Sequence, residues 1–105
     1  MRFVETPIFT KRVKDQLPEE DYRTLQVALL LRPEQGPLIK GGGGLRKVRR
    51  APKGIGKRGG VRVIYCWRAD EQVIYMLFAY TKTAQEDLTP DQLRVLARIV
   101  REEFK

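Results

Sequence analysis

The chain has 105 residues, of which 42% are hydrophobic and 32% are charged, and its net charge is +8. This length fits a single domain over residues 1–105 that can bury a core, and the chain has no apolar run of membrane-spanning length. Because it has no histidine and one cysteine, Cys66, it excludes a Cys/His zinc site, an internal disulfide and histidine acid–base chemistry.

The first third of the sequence predicts a short strand and two helices. Residues 2–5 form the strand candidate. Thr6-Pro7 is typical of a helix N-cap followed by proline at the first helical position. Leu17-Pro18 separates this helix from a second one, which suggests an antiparallel helical hairpin. The second helix ends at Arg32-Pro33, because the residue before proline avoids the helical region.

Three further strands follow a segment rich in glycine and proline at residues 33–44. The first covers residues 45–50, and a long cationic hairpin loop at residues 51–60 joins it to the second. Residues 61–68 give the clearest strand because their side chains alternate regularly. Residues 73–80 are apolar throughout, as in a central strand that is covered on both faces.

A last helix begins at Thr89-Pro90, where threonine is the predicted cap. Its apolar residues recur at helical spacing and would form one buried stripe: Leu93, Leu96, Ala97, Val100 and Phe104. The order β-α-α-β-β-β-α predicts an α+β fold with the helices on one face of a mostly antiparallel sheet. We expect Cys66, among apolar neighbours, to be an inert buried thiol.

The positive charge is confined to one part of the chain. Between Glu34 and Asp70 there is no acidic residue, and everything outside residues 35–69 sums to a net charge of −2. A positive field concentrated in this way attracts anions. A phosphate backbone is the common anion that makes many contacts at once. The ten basic residues are Lys40, Arg46, Lys47, Arg49, Arg50, Lys53, Lys57, Arg58, Arg62 and Arg68.

Part of this charge converges on one predicted sheet face. Lys47 and Arg49 alternate in phase on one strand, and Arg62 begins the strand that the hairpin places beside it. Three converging cations repel one another unless an anion lies among them. Tyr80 ends its strand just before Lys82, where we expect its side chain to leave the core. The alternative interpretation is an ordinary solvated basic face.

Residues 54–59 satisfy the pattern G-x-G-x-x-G. A dinucleotide site requires a helix after these glycines, with its N-terminus facing the pyrophosphate. Here a strand is predicted from Val61, and the chain has no Walker A sequence. We therefore reject a nucleotide-binding loop at this position.

The sequence resembles the RelE/HigB family of toxins from bacterial type II toxin–antitoxin systems. The likeness lies in the element order and in the segments LRKVR, GKRGG-VRVIY and IYMLFAYTK, and it extends from TPIF to QEDLT. It is strongest to the HigB-like branch, which has the block K-G-x-G-K-R-G-G-x-R-[VI]-I-Y. This resemblance implies a RelE-like fold, in which an N-terminal strand and a helical hairpin pack with a mostly antiparallel sheet and a C-terminal helix.

The resemblance also implies a function. Such toxins are ribosome-dependent endoribonucleases that cut mRNA in the ribosomal A site and thereby inhibit translation. They use no metal or other cofactor, and a cognate antitoxin protein neutralises them. The implied partners are therefore mRNA, ribosomal RNA and an antitoxin. The N-terminus has no apolar stretch of signal-peptide length, so we expect a cytoplasmic protein that binds no membrane.

The resemblance also implies which residues form the catalytic site. Lys47 and Arg49 match two basic strand positions of the family, Arg62 matches the arginine that opens the next strand, and Lys82 lies in the family's lysine-containing segment. Because Arg46 and Arg49 disfavour a further positive charge nearby, Lys47 is a candidate general base. The other cations of the block are predicted RNA-binding residues: Arg46, Arg50, Lys53, Lys57 and Arg58.

The chain also departs from RelE at two places. RelE has an arginine after this lysine and a catalytic tyrosine near the chain end, where this sequence has Thr83 and either Leu88 or Thr89. The general acid could then be Tyr80 or Lys82, and the sequence does not choose between them.

Two other functions share these features. A ParE-like toxin has the same fold but inhibits DNA gyrase by protein–protein contact. A non-catalytic RNA- or ribosome-binding module would use the basic stretch and leave mRNA intact. The in-phase cations favour the nuclease.

Overall fold

A computed structural model describes residues 1–51 and 60–103 of the chain. It contains seven helices and strands within these residues, and their order is the predicted one. They are β1 (Arg2–Glu5), α1 (Pro7–Gln16), α2 (Glu19–Leu31), β2 (Leu45–Arg50), β3 (Val61–Arg68), β4 (Val73–Thr81) and α3 (Pro90–Glu103). Residues 52–59 of the predicted cationic hairpin loop lie outside the described residues, and so does Phe104 of the predicted apolar stripe.

The predicted helix boundaries are confirmed. The Thr6 hydroxyl accepts a hydrogen bond from the backbone N–H of Phe9 at 3.1 Å, and Pro7 occupies the first helical position. The second helix ends at Leu31, directly before Arg32-Pro33. Proline and threonine therefore fix the ends of α1 and α2 through local backbone chemistry.

The four described strands form one sheet in the order β1-β4-β3-β2. β2 pairs with β3 and β3 with β4 in antiparallel fashion, whereas β1 lies parallel to β4. The prediction of a mostly antiparallel sheet is thus confirmed. β4 has a neighbour on each side, and its apolar residues are buried on both faces, as its sequence indicated.

The helices cover both faces of the sheet, so the prediction that they lie on one face was wrong. Residues of α1 and α2 share a buried cluster with Val63 and Tyr65 of β3, whereas Leu96 and Val100 of α3 share a second cluster with Ile64. Successive residues of a strand point to opposite faces, and α3 therefore lies across the sheet from α1 and α2. The apolar stripe of α3 predicts burial against a sheet, but it does not identify the face.

A bulge in β4 joins the sheet to the start of α1. Tyr65 pairs with Met76 and Ile64 with Phe78, so Leu77 is an extra residue on β4. Its carbonyl accepts a hydrogen bond from the Thr6 hydroxyl at 2.8 Å. This side chain therefore caps α1 and also satisfies the backbone at the bulge.

The segment between α2 and β2 is anchored on the sheet by Tyr65. The Tyr65 hydroxyl donates to the carbonyl of Pro33 at 2.7 Å and accepts from the N–H of Gly36 at 3.0 Å. A Cβ at Gly36 would lie 2.7 Å from the carbonyl oxygen of Lys47, which real structures do not tolerate. Glycine at this position therefore allows the segment to lie directly against the sheet.

Cys66 is buried, with 2% of its surface exposed. Burial raises the pKa of its thiol, which agrees with the expected inert cysteine. Within residues 1–51 and 60–103, no helix is long and apolar enough to cross a membrane.

Replacing Thr6 tests its double role. We expect Thr6→Ala to lower the free energy of unfolding by roughly 1–3 kcal/mol, because the helix loses its cap and the Leu77 carbonyl loses its donor. Thr6→Ser keeps the hydroxyl and should retain most of the stability. Urea unfolding of both variants measures the difference, and equal midpoints for the alanine variant and the unmodified protein would contradict the role.

Candidate functional site

Three basic side chains lie on the sheet face that α3 covers in part. Arg49 of β2 lies opposite Arg62 of β3, which in turn lies opposite Tyr80 of β4. Lys47 is two residues before Arg49 and shares its face. We call Lys47, Arg49 and Arg62 the cation row. The prediction that these three residues share one sheet face is therefore confirmed.

The two arginines of the row approach one another beside Gly60. A Cβ at residue 60 would lie 2.9 Å from Nη1 of Arg62 and 3.2 Å from Nε of Arg49. Both guanidinium groups therefore use space that any other side chain would occupy. Glycine at this position allows two positive groups to share one small volume.

Arg62 has a hydrogen-bond donor that is unused within the described residues. Its Nη1 atom is buried and has no hydrogen-bond partner among the described residues. A buried, unsatisfied donor of a charged group is unfavourable by a few kcal/mol at most sites. An anion at the row would satisfy this donor and would also relieve the repulsion between the cations.

Asp87 lies in the connection between β4 and α3, outside the sheet, and contacts Lys47 of the cation row. Its Oδ1 accepts from the N–H of Leu88 at 2.8 Å, from the Tyr80 hydroxyl at 3.4 Å and from the Lys47 ammonium at 3.5 Å. Its Oδ2 has no hydrogen-bond partner within the described part of the chain. Asp87 is not among the site residues that the sequence pattern predicts.

The surroundings of Asp87 keep it ionised. The N–H of Leu88 lowers the pKa of this carboxyl most, and the Lys47 ammonium and the Tyr80 hydroxyl lower it further. The side chain is 69% exposed, so its ion pair with Lys47 contributes little to stability. One feature of the sequence could have identified Asp87: it is an acidic residue that follows shortly after β4, the strand that pairs with β3.

Tyr80 is buried, so the prediction that its side chain leaves the core was wrong. Only 1% of its surface is exposed, and its ring packs against Phe78 at a centroid distance of 6.2 Å. The reason is that β4 continues to Thr81 as a central strand beneath α3. Burial, with Asp87 nearby, raises the pKa of Tyr80 to about 12, so its hydroxyl donates to Asp87 at neutral pH.

Lys82 lies at the end of β4, and its side chain is exposed. Its backbone N–H donates to the carbonyl of Gly60 at 3.1 Å, which places it beside the residue that the two arginines approach. Within the described residues, no hydrogen bond or ion pair connects its ammonium to the cation row.

The predicted RNA-binding residues divide into two groups. Arg46 and Arg50 alternate with the row on β2 and therefore face the other side of the sheet. Nη1 of Arg46 donates to the carbonyls of Glu34 and Gly36, at 3.0 and 2.8 Å, and so holds the segment before β2. The remaining three lie outside the described residues: Lys53, Lys57 and Arg58.

The described residues contain no group of three or more Cys, Asp or Glu side chains that could hold a metal ion. The groups that the site itself offers for chemistry are two guanidinium groups, an ammonium, an ionised carboxylate and a protonated phenol.

Comparison with known proteins places these features in a family. The family model described as "RelE toxin of RelE / RelB toxin-antitoxin system" matches residues 1–105. A solved structure of the E. coli toxin RelE, a double arginine-to-alanine mutant in the free state, is similar in fold with a TM-score of 0.61. The two chains are 15% identical, and the match covers 91% of this chain and 92% of the other. At this identity the likeness concerns the fold.

Alkaline unfolding tests the environment of Tyr80. The pKa of its phenol is about 12 in the folded protein against 10.0 ordinarily, so the folded state holds the proton more tightly. Its contribution to stability is therefore complete below pH 10 and decreases as pH rises from 10 through 12. We expect Tyr80→Phe to lose less stability than the unmodified protein over this range.

Urea unfolding of both proteins at neutral pH and at about pH 11 measures the difference. The other tyrosines contribute equally to both proteins and cancel in the comparison. Identical losses of stability would show that Tyr80 ionises as easily in the folded state as in the unfolded one.

Proposed function

The chain belongs to the RelE toxin family of toxin–antitoxin systems, and we propose that it is an endoribonuclease that cleaves mRNA in the ribosomal A site. In this proposal cleavage depends on the ribosome, needs no metal and inhibits translation. The observation that carries it is the cation row, with two arginines converging at Gly60 and a buried donor of Arg62 that has no partner among the described residues.

The proposed chemistry uses a nucleophile that RNA itself supplies. The 2′-hydroxyl attacks the adjoining phosphorus, the P–O5′ bond breaks, and a 2′,3′-cyclic phosphate and a free 5′-hydroxyl result. The protein must stabilise the extra negative charge on the phosphate and move two protons. Arg49 and Arg62 suit the first task, since a guanidinium is always charged and binds phosphate oxygens through two donors.

We assign the general base to Asp87. Its carboxylate is ionised and exposed, and its Oδ2 has no hydrogen-bond partner among the described residues, so it can accept the 2′-hydroxyl proton. The ammonium of Lys47 then stabilises charge at the phosphate, which revises the assignment of Lys47 as the base. Tyr80 acts as a positioning residue, since its buried hydroxyl holds Asp87. Lys82, exposed at the end of β4, is the proposed general acid.

The proposal also includes neutralisation by a cognate antitoxin. A partner with acidic residues would associate quickly with the net charge of +8 through electrostatic steering. A gyrase inhibitor would require a protein-binding surface and would have no use for an ionised carboxylate held beside Lys47 of the cation row. The arrangement around Asp87 therefore favours a nuclease over a ParE-like toxin.

Removing single cations should abolish most of the activity. We expect Lys47→Ala, Arg49→Ala and Arg62→Ala each to reduce the mRNA cleavage rate by about 10²–10³-fold, since each removes one fixed charge at the phosphate. Primer extension on mRNA bound to translating ribosomes measures the rate. The same mRNA without ribosomes tests the ribosome dependence.

Two further variants separate site geometry from overall charge. Arg23→Ala removes an exposed cation of α2 that pairs with Glu19, and it should cleave normally. Gly60→Ala removes no charge but displaces both guanidinium groups, and its cleavage rate should fall. Full activity in all three row variants would contradict the proposed site. So would a loss of cleavage rate in Arg23→Ala as large as in the row variants.

The pH dependence distinguishes the two candidate bases. Because the pKa of Asp87 is lowered, Asp87 is already ionised at neutral pH, and single-turnover cleavage should be nearly constant between about pH 6 and 8. A lysine base would instead make the rate rise with pH across this range. Asp87→Asn should lower the rate at every pH in the range.

Tyr80→Phe is the matching test of positioning. It keeps the buried ring and removes only the hydroxyl that holds Asp87. We expect a smaller loss than in Asp87→Asn and an unchanged pH profile. A rate that rises about tenfold per pH unit would return the general base to Lys47.

A further inference from the structure

Two glutamine side chains hold together the connection between β4 and α3. Gln85 lies in this connection, and Gln92 lies in the first turn of α3. Nε2 of Gln85 donates to Oε1 of Gln92 at 2.8 Å, and Nε2 of Gln92 donates back to Oε1 of Gln85 at 3.4 Å. We call these two residues the glutamine pair.

The glutamine pair is attached to both of the elements that flank the connection. The backbone N–H of Gln85 donates to the carbonyl of Thr81, the last residue of β4, at 3.1 Å. Gln92 and Thr89 form a capping box at the start of α3, in which the Thr89 hydroxyl accepts from the N–H of Gln92 at 3.1 Å and Oε1 of Gln92 accepts from the N–H of Thr89 at 3.0 Å. The pair therefore links the end of β4 to the first turn of α3.

Asp87 lies between these attachment points, and Gln85 binds its backbone. Nε2 of Gln85 donates to the carbonyl of Asp87 at 2.8 Å, in addition to its bond with Gln92. The carbonyl of Asp87 can only accept and the N–H of Thr89 can only donate, so these partners determine the orientation of both amide groups. Both N–H groups of the Gln85 amide are thus used to fix the connection.

The position of the Asp87 carboxylate depends on this backbone. The shortest of the three bonds to Oδ1 comes from the N–H of the next residue, Leu88, at 2.8 Å. The bonds from Lys47 and Tyr80 are longer, at 3.5 and 3.4 Å. When RNA replaces the contact with Lys47, the N–H of Leu88 remains as the closest donor to the carboxylate.

We infer that Gln85 and Gln92 are positioning residues, which hold the Asp87 carboxylate beside the cation row while RNA is bound. The inference rests on the proposed function, in which Asp87 is the general base. A misplacement of about 1 Å can lower a reaction rate by about 10²-fold, so a carboxylate with long side-chain contacts requires a fixed backbone. The hydrogen bonds of the two glutamine side chains run to Asp87, to Thr89 and to each other, so neither side chain has to touch RNA.

Replacing Gln85 tests the positioning. Gln85→Ala should lower the single-turnover cleavage rate of ribosome-bound mRNA by about 10–10²-fold, because the Asp87 carbonyl loses its donor. The ribosome concentration that gives half of the maximal rate should stay the same, since Gln85 does not bind RNA in this proposal. Gln85 belongs to neither buried cluster, so its replacement leaves the core intact. Gln26→Ala makes the same substitution on α2, across the sheet, and is the control that should change neither quantity.

Variants of nearly equal size separate the hydrogen bonds from charge. Gln85→Glu puts an oxygen where the donor faces the Asp87 carbonyl, and it should lose as much activity as Gln85→Ala. Gln92→Ala should also be slow, because it lacks the acceptor for Thr89 and Gln85. Gln92→Glu keeps this acceptor and should recover most of the rate that Gln92→Ala loses. A rate for Gln92→Glu as low as that for Gln85→Glu would attribute the loss to the added charge and overturn the inference.

The pKa of the Asp87 carboxyl reports its position in the absence of RNA. The N–H of Leu88 lowers this pKa most, and Lys47 of β2 and Tyr80 of β4 lower it further. A displaced side chain loses these contacts, so its pKa should rise toward the ordinary value. Heteronuclear NMR titration of the carboxyl group should show this rise in Gln85→Ala and none in the control. An unchanged pKa in Gln85→Ala would overturn the inference.

The two readouts separate this inference from the proposed function. A raised pKa in Gln85→Ala, from a protein whose unmodified form leaves mRNA intact, would support the positioning of Asp87 and refute the nuclease. Normal cleavage by Gln85→Ala, together with a large loss in Asp87→Asn, would support the nuclease and refute the role of the glutamine pair.

Discussion

The antiparallel register of β2, β3 and β4 places the cation row and Tyr80 on one face of the sheet. It sets Arg49 opposite Arg62, although like charges in facing positions are unfavourable. The buried residues on both faces enforce this pairing, because a shift by one residue would move Arg62 to the face that α1 and α2 cover and would place its charge in an apolar cluster. The apolar framework therefore holds the cations together, and the free energy of burial offsets their repulsion.

The contacts of Asp87 differ from those of the framework in strength. Its hydrogen bonds to Lys47 and Tyr80 are long, at 3.5 and 3.4 Å, and its side chain is largely exposed. Such contacts contribute little to folding. In the proposed mechanism they are therefore exchanged for contacts to RNA at small energetic cost. A row of cations on the sheet and an exchangeable carboxylate together suit the proposed site, which must bind, react and release.

The fold and the site also depend on different parts of the sequence. A structure with 15% identity has the same fold over 91% of this chain, since many apolar sequences can fill one pattern of buried positions. Chemistry requires particular side chains at particular distances, and these are argued from the site alone. Membership of the RelE family and the geometry at Gly60 therefore support the proposed function independently.

The sequence by itself determined the elements of this fold and the faces of its strands. Prolines, caps and a two-residue alternation act over a few residues, so they predicted the helix ends and placed Lys47, Arg49 and Arg62 on one face. Only the tertiary structure decided which face α3 covers, that Tyr80 is buried and that Asp87 lies against Lys47, 40 residues away in the chain. The reason is physical: an apolar stripe requires a partner surface without specifying which one, and contacts between distant residues depend on the path of the whole chain.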